Sequence, residues 1–145
     1  MTESAHCGRQ IHMAAHALRA VRNTALENNG IAFELWVVME AMAETPGMNR
    51  QRLISRLAQL AVHDQASAAH AIDELRERGL ITTTADDLAT IELTDQGKAL
   101  SQKVIAARNE LRNQLYADIT PEDFETTRRV LDLIRQRAAA IHARQ

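Results

Sequence analysis

Residues 57–94 read LAQLAVHDQASAAHAIDELRERGLITTTADDLATIELT, and this stretch decides the fold. Leu57-Ala58 belongs to one helix, and Ala68, Ile72 and Leu75 recur at helical spacing on the next. Asp64 stands where an N-cap belongs, ahead of that periodic run. Gly79 stands where the helix must stop, because a left-handed residue costs glycine least. Two β-branched runs follow, 81–84 and 90–93, with Ala85-Asp86-Asp87 as the turn between them. Helix, turn, helix, hairpin is the order of a winged helix-turn-helix.

Working outward, residues 32–44 predict a helix that is apolar nearly all round, through Phe33, Trp36, Val37, Met39 and Met42. Such a helix belongs at the centre of a core. Thr45-Pro46-Gly47 breaks it. A third helix follows, capped by Asn49, with Arg50, Arg52 and Arg56 on its polar side and Leu53, Leu57 and Leu60 on its apolar side. Residues 8–28 predict the first helix, with a narrow stripe of Ile11, Ala14, Leu18, Val21 and Ala25. Thr94 caps a long helix to about residue 117, striped by Leu100, Val104, Ala107, Leu111 and Leu115. Thr120 caps the last, with Pro121 at its first position and carboxylates in its first turn. Phe124, Thr127, Leu131, Ile134, Ala138 and Ile141 continue its stripe. So small a core cannot cover both long stripes, and pairing with a second chain would.

The 145 residues suit one continuous domain. Apolar residues make up 46%, yet Phe33, Trp36, Tyr116 and Phe124 are the whole aromatic set. No run of about 18 apolar residues offers a transmembrane helix, and the N-terminus lacks a basic, then apolar, secretory pattern. A cytoplasmic location is therefore expected. Cys7, as the single cysteine, excludes an intrachain disulfide and a cysteine-rich zinc site.

The ordered set of Leu57-Ala58, a helix, Leu75-x-x-x-Gly79-Leu80-Ile81, a hairpin, and Leu93-Thr94-x-x-Gly97 resembles the MarR family of bacterial transcription regulators. Val38-Met39-x-x-Met42 before Pro46-Gly47 looks like that family's second helix, and Thr120-Pro121-Glu122-Asp123 like the opening of its dimerisation helix. The resemblance covers most of the chain. It implies a mainly α fold with a small β-hairpin wing. Residues 31–94 would form the DNA-binding winged helix, and residues 1–30 and 95–145 a helical dimerisation region. It also implies a homodimeric transcriptional regulator, a repressor, on a pseudo-palindromic operator of double-stranded DNA. The chain departs from the pattern at the wing, where the family's Asp-x-Arg motif is replaced by Asp86-Asp87-Leu88-Ala89, with neither Lys nor Arg.

A helix in the major groove reads bases mainly with its N-terminal residues. Gln65, Ser67 and His70 are thus expected nearest the bases, with Ala66 and Ala69 allowing close approach and contact with thymine methyls. Arg50, Arg52 and Arg56 are also expected among the DNA-binding residues. Between Met48 and Thr94, five basic residues face seven acidic ones, a net of −2. Phosphate neutralisation supplies most non-specific affinity, so weak non-specific binding is expected. The same acidity keeps open a second reading, a winged helix serving as a protein-interaction module.

A small aromatic or organic effector is implied by the resemblance, and Met13, His16, Trp36 and Met39 are the candidate lining. His12 and His16 lie one turn apart and could share a metal, giving a metal-responsive regulator as a further alternative. Solvated histidines on a polar face are the simpler account, so neither cofactor nor metal is expected. No nucleophile–base pairing or Gly-rich phosphate loop stands out, and the chain is not expected to be an enzyme.

Overall fold

The structure, a computed structural model, describes residues 3–60 and 63–145. Residues 61 and 62, inside the stretch quoted above, lie outside the described set. Six helices and one hairpin follow in the order α1 (Glu3–Asn28), α2 (Phe33–Glu44), α3 (Arg50–Gln59), α4 (Gln65–Glu77), β1 (Ile81–Thr83), β2 (Ile91–Leu93), α5 (Asp95–Leu115) and α6 (Pro121–His142). The chain divides into two compact units, residues 1–109 and 110–145.

The first unit holds the core. α2 runs through its middle with Leu35, Trp36, Val37, Val38, Met39, Ala41 and Met42 all buried. α3 adds Leu53, Ile54 and Leu57, and α4 adds Ala68, Ala71, Ile72 and Leu75. Leu80, Ile81 and Ile91 close it from the hairpin, and Val104 from α5. Leu60 departs from the sequence reading. It is the C-cap of α3 and stands 46% exposed, at the end of the helix beyond its buried residues Leu53, Ile54 and Leu57.

Local chemistry fixes the helix ends. Asn49 accepts from the Arg52 N–H at 2.9 Å, Asp64 from the Ser67 N–H at 2.7 Å, and Thr120 from the Asp123 N–H at 3.2 Å. These are the orphan donors that a capping side chain satisfies. After α4, Gly79 takes φ +72°, the Leu80 N–H reaches the Leu75 carbonyl and the Gly79 N–H reaches that of Arg76, each at 3.0 Å. That is a Schellman ending, and its apolar contact pairs buried Leu80 with buried Leu75. Helix α1 begins at Glu3, five residues before the start expected at Gly8. Gly8 does not stop it, since one glycine costs a helix only about 1 kcal/mol.

The hairpin is antiparallel, with Ile81 opposite Leu93, Thr82 opposite Glu92 and Thr83 opposite Ile91. Each strand is one residue shorter than its β-branched run. Thr84 and Thr90 lie just past the strands and still share a bond, Thr84 N–H to the Thr90 carbonyl at 2.8 Å, while the Thr84 hydroxyl donates to Asp86 Oδ1 at 2.7 Å and Asp86 Oδ1 accepts the Ala89 N–H at 3.1 Å. Ala89 adopts φ +46° there. An isolated bridge from Asn49 to Thr90, with the Ile91 N–H on the Met48 carbonyl at 2.9 Å, ties the start of α3 to the wing.

In the second unit, α6 buries none of its residues. Tyr116 meets Phe124 edge to face, centroids 5.5 Å apart. Phe124, Val130, Leu131, Leu133, Ile134 and Ile141 are exposed.

Candidate nucleic-acid interface

Burial of Ala68, Ala71, Ile72 and Leu75 decides what α4 offers to solvent. At 100° per residue, the opposite face carries Ala66, His70, Asp73 and Glu77. Gln65, Ala66, Ser67 and His70 are exposed, and Ala69 is half-buried against the core. The expected base-reading residues therefore share the accessible N-terminal half of one helix. Cap and Schellman ending hold that helix at both ends.

The arginines are distributed differently from the sequence expectation. Arg50 sets its guanidinium on the Asp73 carboxylate, Nη1 to Oδ1 at 2.8 Å and Nη2 to Oδ2 at 3.1 Å. Nη2 also reaches the Ala69 carbonyl at 3.5 Å. Arg76 adds a contact to Asp73 at 3.4 Å. The hydrogen bonds from Arg50, with the nearby positive charges, hold the Asp73 carboxyl below its usual range. Arg56 pairs with Glu44 at 3.3 Å, and its Nε is buried without a partner. Arg78 donates to the Gly30 carbonyl at 2.6 Å. Arg52 is exposed and makes no side-chain hydrogen bond or ion pair among the described residues.

A cleft of about 780 Å³ runs between the start of α2 and one flank of α4, lined by Ala32, Glu34, His63, Ser67, His70 and Glu74 among others. His63 is buried and its Nε2 lies 2.9 Å from the Glu34 carbonyl, so Nε2 carries the proton and donates. Sequence reading passed over Glu34 and His63, because only the tertiary fold brings α2 beside the N-cap of α4. A smaller cleft of about 380 Å³ lies among Pro46, Gly47, Ile91, Leu93 and Lys98.

The four candidate effector residues differ in burial within one chain. Trp36 and Met39 are enclosed in the core, while Met13 (56% exposed) and His16 sit on the open surface of α1. None of the four lines either cleft. Beside Trp36, Arg108 stacks over the ring at 5.9 Å and pairs with Glu40 at 2.6 Å. Arg22 lies 3.6 Å over the Phe33 ring, and burial together with Arg19 and Arg108 lowers its pKa. His12 and Cys7 are exposed on α1. Among the described residues, no three His, Cys, Asp or Glu side chains gather as a metal site. No described helix is long and apolar enough to cross a membrane.

Set against known proteins, the chain matches no family model and no curated protein sequence. Solved structures do match over nearly the whole length. Staphylococcus aureus MarR, in complex with salicylate and kanamycin, is 17% identical with a TM-score of 0.76, covering 94% of this chain and 93% of that one. A MarR family protein from Bacillus stearothermophilus is 18% identical with a TM-score of 0.73, covering 96% and 99%. The S. aureus MepR–DNA complex is 17% identical with a TM-score of 0.69, covering 89% and 94%. The fold, six described helices with a two-stranded wing, is thus the MarR-type winged helix.

Proposed function

We propose that this chain, built on the MarR-type fold, is a DNA-binding transcriptional regulator that works as a homodimer and represses the genes it sits on. The observation that carries the reading is α4. Its buried face locks Ala68, Ile72 and Leu75 into the core, so Gln65, Ala66, Ser67 and His70 project from a rigid support. Small and polar residues at a recognition helix's start suit close approach to base edges. MepR, of the same fold, is held on DNA in its solved complex.

Dimerisation follows from unburied apolar surface. Leu18 on α1 and Leu131, Ile134 and Ile141 on α6 are all exposed, and a second copy would cover such stripes. Residues 1–30 and 95–145 would then set the distance between two copies of α4, about one helical turn of DNA apart. S. aureus MarR holds salicylate and kanamycin. By analogy, a small organic effector releases this chain from DNA by favouring a different spacing, since only differential affinity shifts such an equilibrium.

Fluorescence anisotropy on the DNA upstream of the chain's own gene, against random duplex and across a salt series, tests the reading. Preference for one duplex, lost in Ser67→Ala/His70→Ala, is the expected result. If random-pool selection enriches no sequence either, the winged helix serves a protein partner instead.

A further inference from the structure

The five arginines between Met48 and Thr94 do not share one role. Four are committed inside the chain: Arg50 and Arg76 to Asp73, Arg56 to Glu44, and Arg78 to the Gly30 carbonyl. Arg52 alone is exposed with no side-chain hydrogen bond or ion pair among the described residues. We infer that Arg50 is a positioning residue that clamps the recognition helix through Asp73, and that the phosphate contact of α3 falls to Arg52.

The inference rests on the DNA-reading function proposed above, and geometry supports it on three counts. The Arg50 fork meets both carboxylate oxygens of Asp73, the arrangement a planar guanidinium favours and a lysine cannot copy. The clamp joins the first residue of α3 to the third turn of α4, two elements whose buried faces are apolar. Its base is fixed as well, because Asn49 caps α3 and bridges to Thr90 in the wing. The clamp thereby adds a polar restraint to the rotation of α4 that its buried face already sets, and so steadies where Ala66 and His70 point.

Charge makes the same assignment. Asp73 lies on the outward face of α4, the face that approaches DNA. If Arg50 left it for a phosphate, the carboxylate would face the backbone with only Arg76 at 3.4 Å to offset it. Releasing Arg50 would therefore gain one phosphate contact and expose one repulsion. Arg52 has no such cost.

The test is the slope of log affinity against log salt on a random-sequence duplex, for wild type, Arg50→Gln, Arg52→Gln and Arg50→Gln/Asp73→Asn. Each lost phosphate contact lowers the slope by about 0.9. Arg52→Gln should lose that amount for every copy bound. Arg50→Gln should bind more weakly, and adding Asp73→Asn should restore both affinity and the wild-type slope. Arg50→Lys, which keeps the charge and loses the fork, should bind random duplex normally yet discriminate less well among sequences. A double variant whose slope falls as far as that of Arg52→Gln overturns the inference and leaves DNA binding intact. Wild type that binds no duplex even at low salt overturns the DNA reading itself, and this assignment with it.

Discussion

The Thr94 hydroxyl donates to the Gly79 carbonyl at 2.6 Å and accepts the Gly97 N–H at 3.1 Å, joining the end of α4 to the start of α5. The Leu80 carbonyl takes the Thr94 N–H at 3.1 Å in the same knot. This is the physical content of Leu93-Thr94-x-x-Gly97. Threonine supplies a hydroxyl that both donates and accepts, and Gly97 lets the helix press against the Leu80 carbonyl. A Cβ at Gly97 would fall inside contact distance of that oxygen and 3.3 Å from Leu93 Cδ2.

Gly97→Ala should therefore destabilise the fold by about 1–3 kcal/mol, the usual cost of overpacking, although alanine is the better helix former. Gly8 supplies the contrast, because a Cβ there meets nothing within 4 Å. Gly8→Ala should stabilise α1 by up to about 1 kcal/mol. Urea denaturation of both variants checks the pair, and effects of the same sign would contradict the steric account.

Features set by one helix or one turn were legible in the sequence. Asn49, Asp64, Thr94 and Thr120 all cap as expected, and Gly79 ends α4 with positive φ. What escaped was set across elements. The pairing of Arg50 with Asp73 spans 23 residues, and that of Arg108 with Glu40 spans 68. Helical spacing cannot show either, and so the three arginines of α3 read as one basic face.

Leu53 and Leu60 mark the same boundary. Both lie on one periodic stripe, yet Leu53 is fully buried and Leu60, past the last turn of α3, is 46% exposed. Leu53→Ala should cost about 2–5 kcal/mol, as expected for a filled core site. Leu60→Ala should change stability by no more than about 0.5 kcal/mol. A large loss in Leu60→Ala, measured at concentrations where the chain is monomeric, would place that side chain in the core.

Acid should unfold the chain partly through its cap. The Ser67 backbone N–H, then other hydrogen bonds around Asp64, hold this carboxyl below its ordinary value. Asp73 is lowered by Arg50 and Glu125 by Arg128. A carboxylate depressed in the folded state adds stability above its unfolded pKa, ~3.9 for Asp. That stability is lost as pH falls through the lower folded value. Asp64→Asn keeps the cap and removes the titration. Its melting temperature at neutral pH should stay near wild type, while its loss on going to about pH 3 should be smaller. An unchanged acid profile would mean that Asp64 contributes nothing to it.

The oligomeric state can be tested on α6 alone. Its caps and ion pairs are local: Thr120 at the start, then Arg128 with Glu125 at 2.7 Å and with Asp132 at 3.5 Å. None of these depends on a core, and none explains why Leu131 and Ile134 are apolar while 43% and 40% exposed. A partner's matching helix would explain it, and a carboxylate placed in that seam would have to be desolvated. Leu131→Asp should leave the helix intact, since aspartate costs an exposed helix position less than about 1 kcal/mol. It should nonetheless abolish the dimer. Sedimentation equilibrium should then report 16.2 kDa for the variant and twice that for wild type. Operator affinity should fall with it, because a single α4 spans one half-site. Wild type sedimenting as a monomer at micromolar concentration would sink the dimer, and operator binding would then rest on one winged helix.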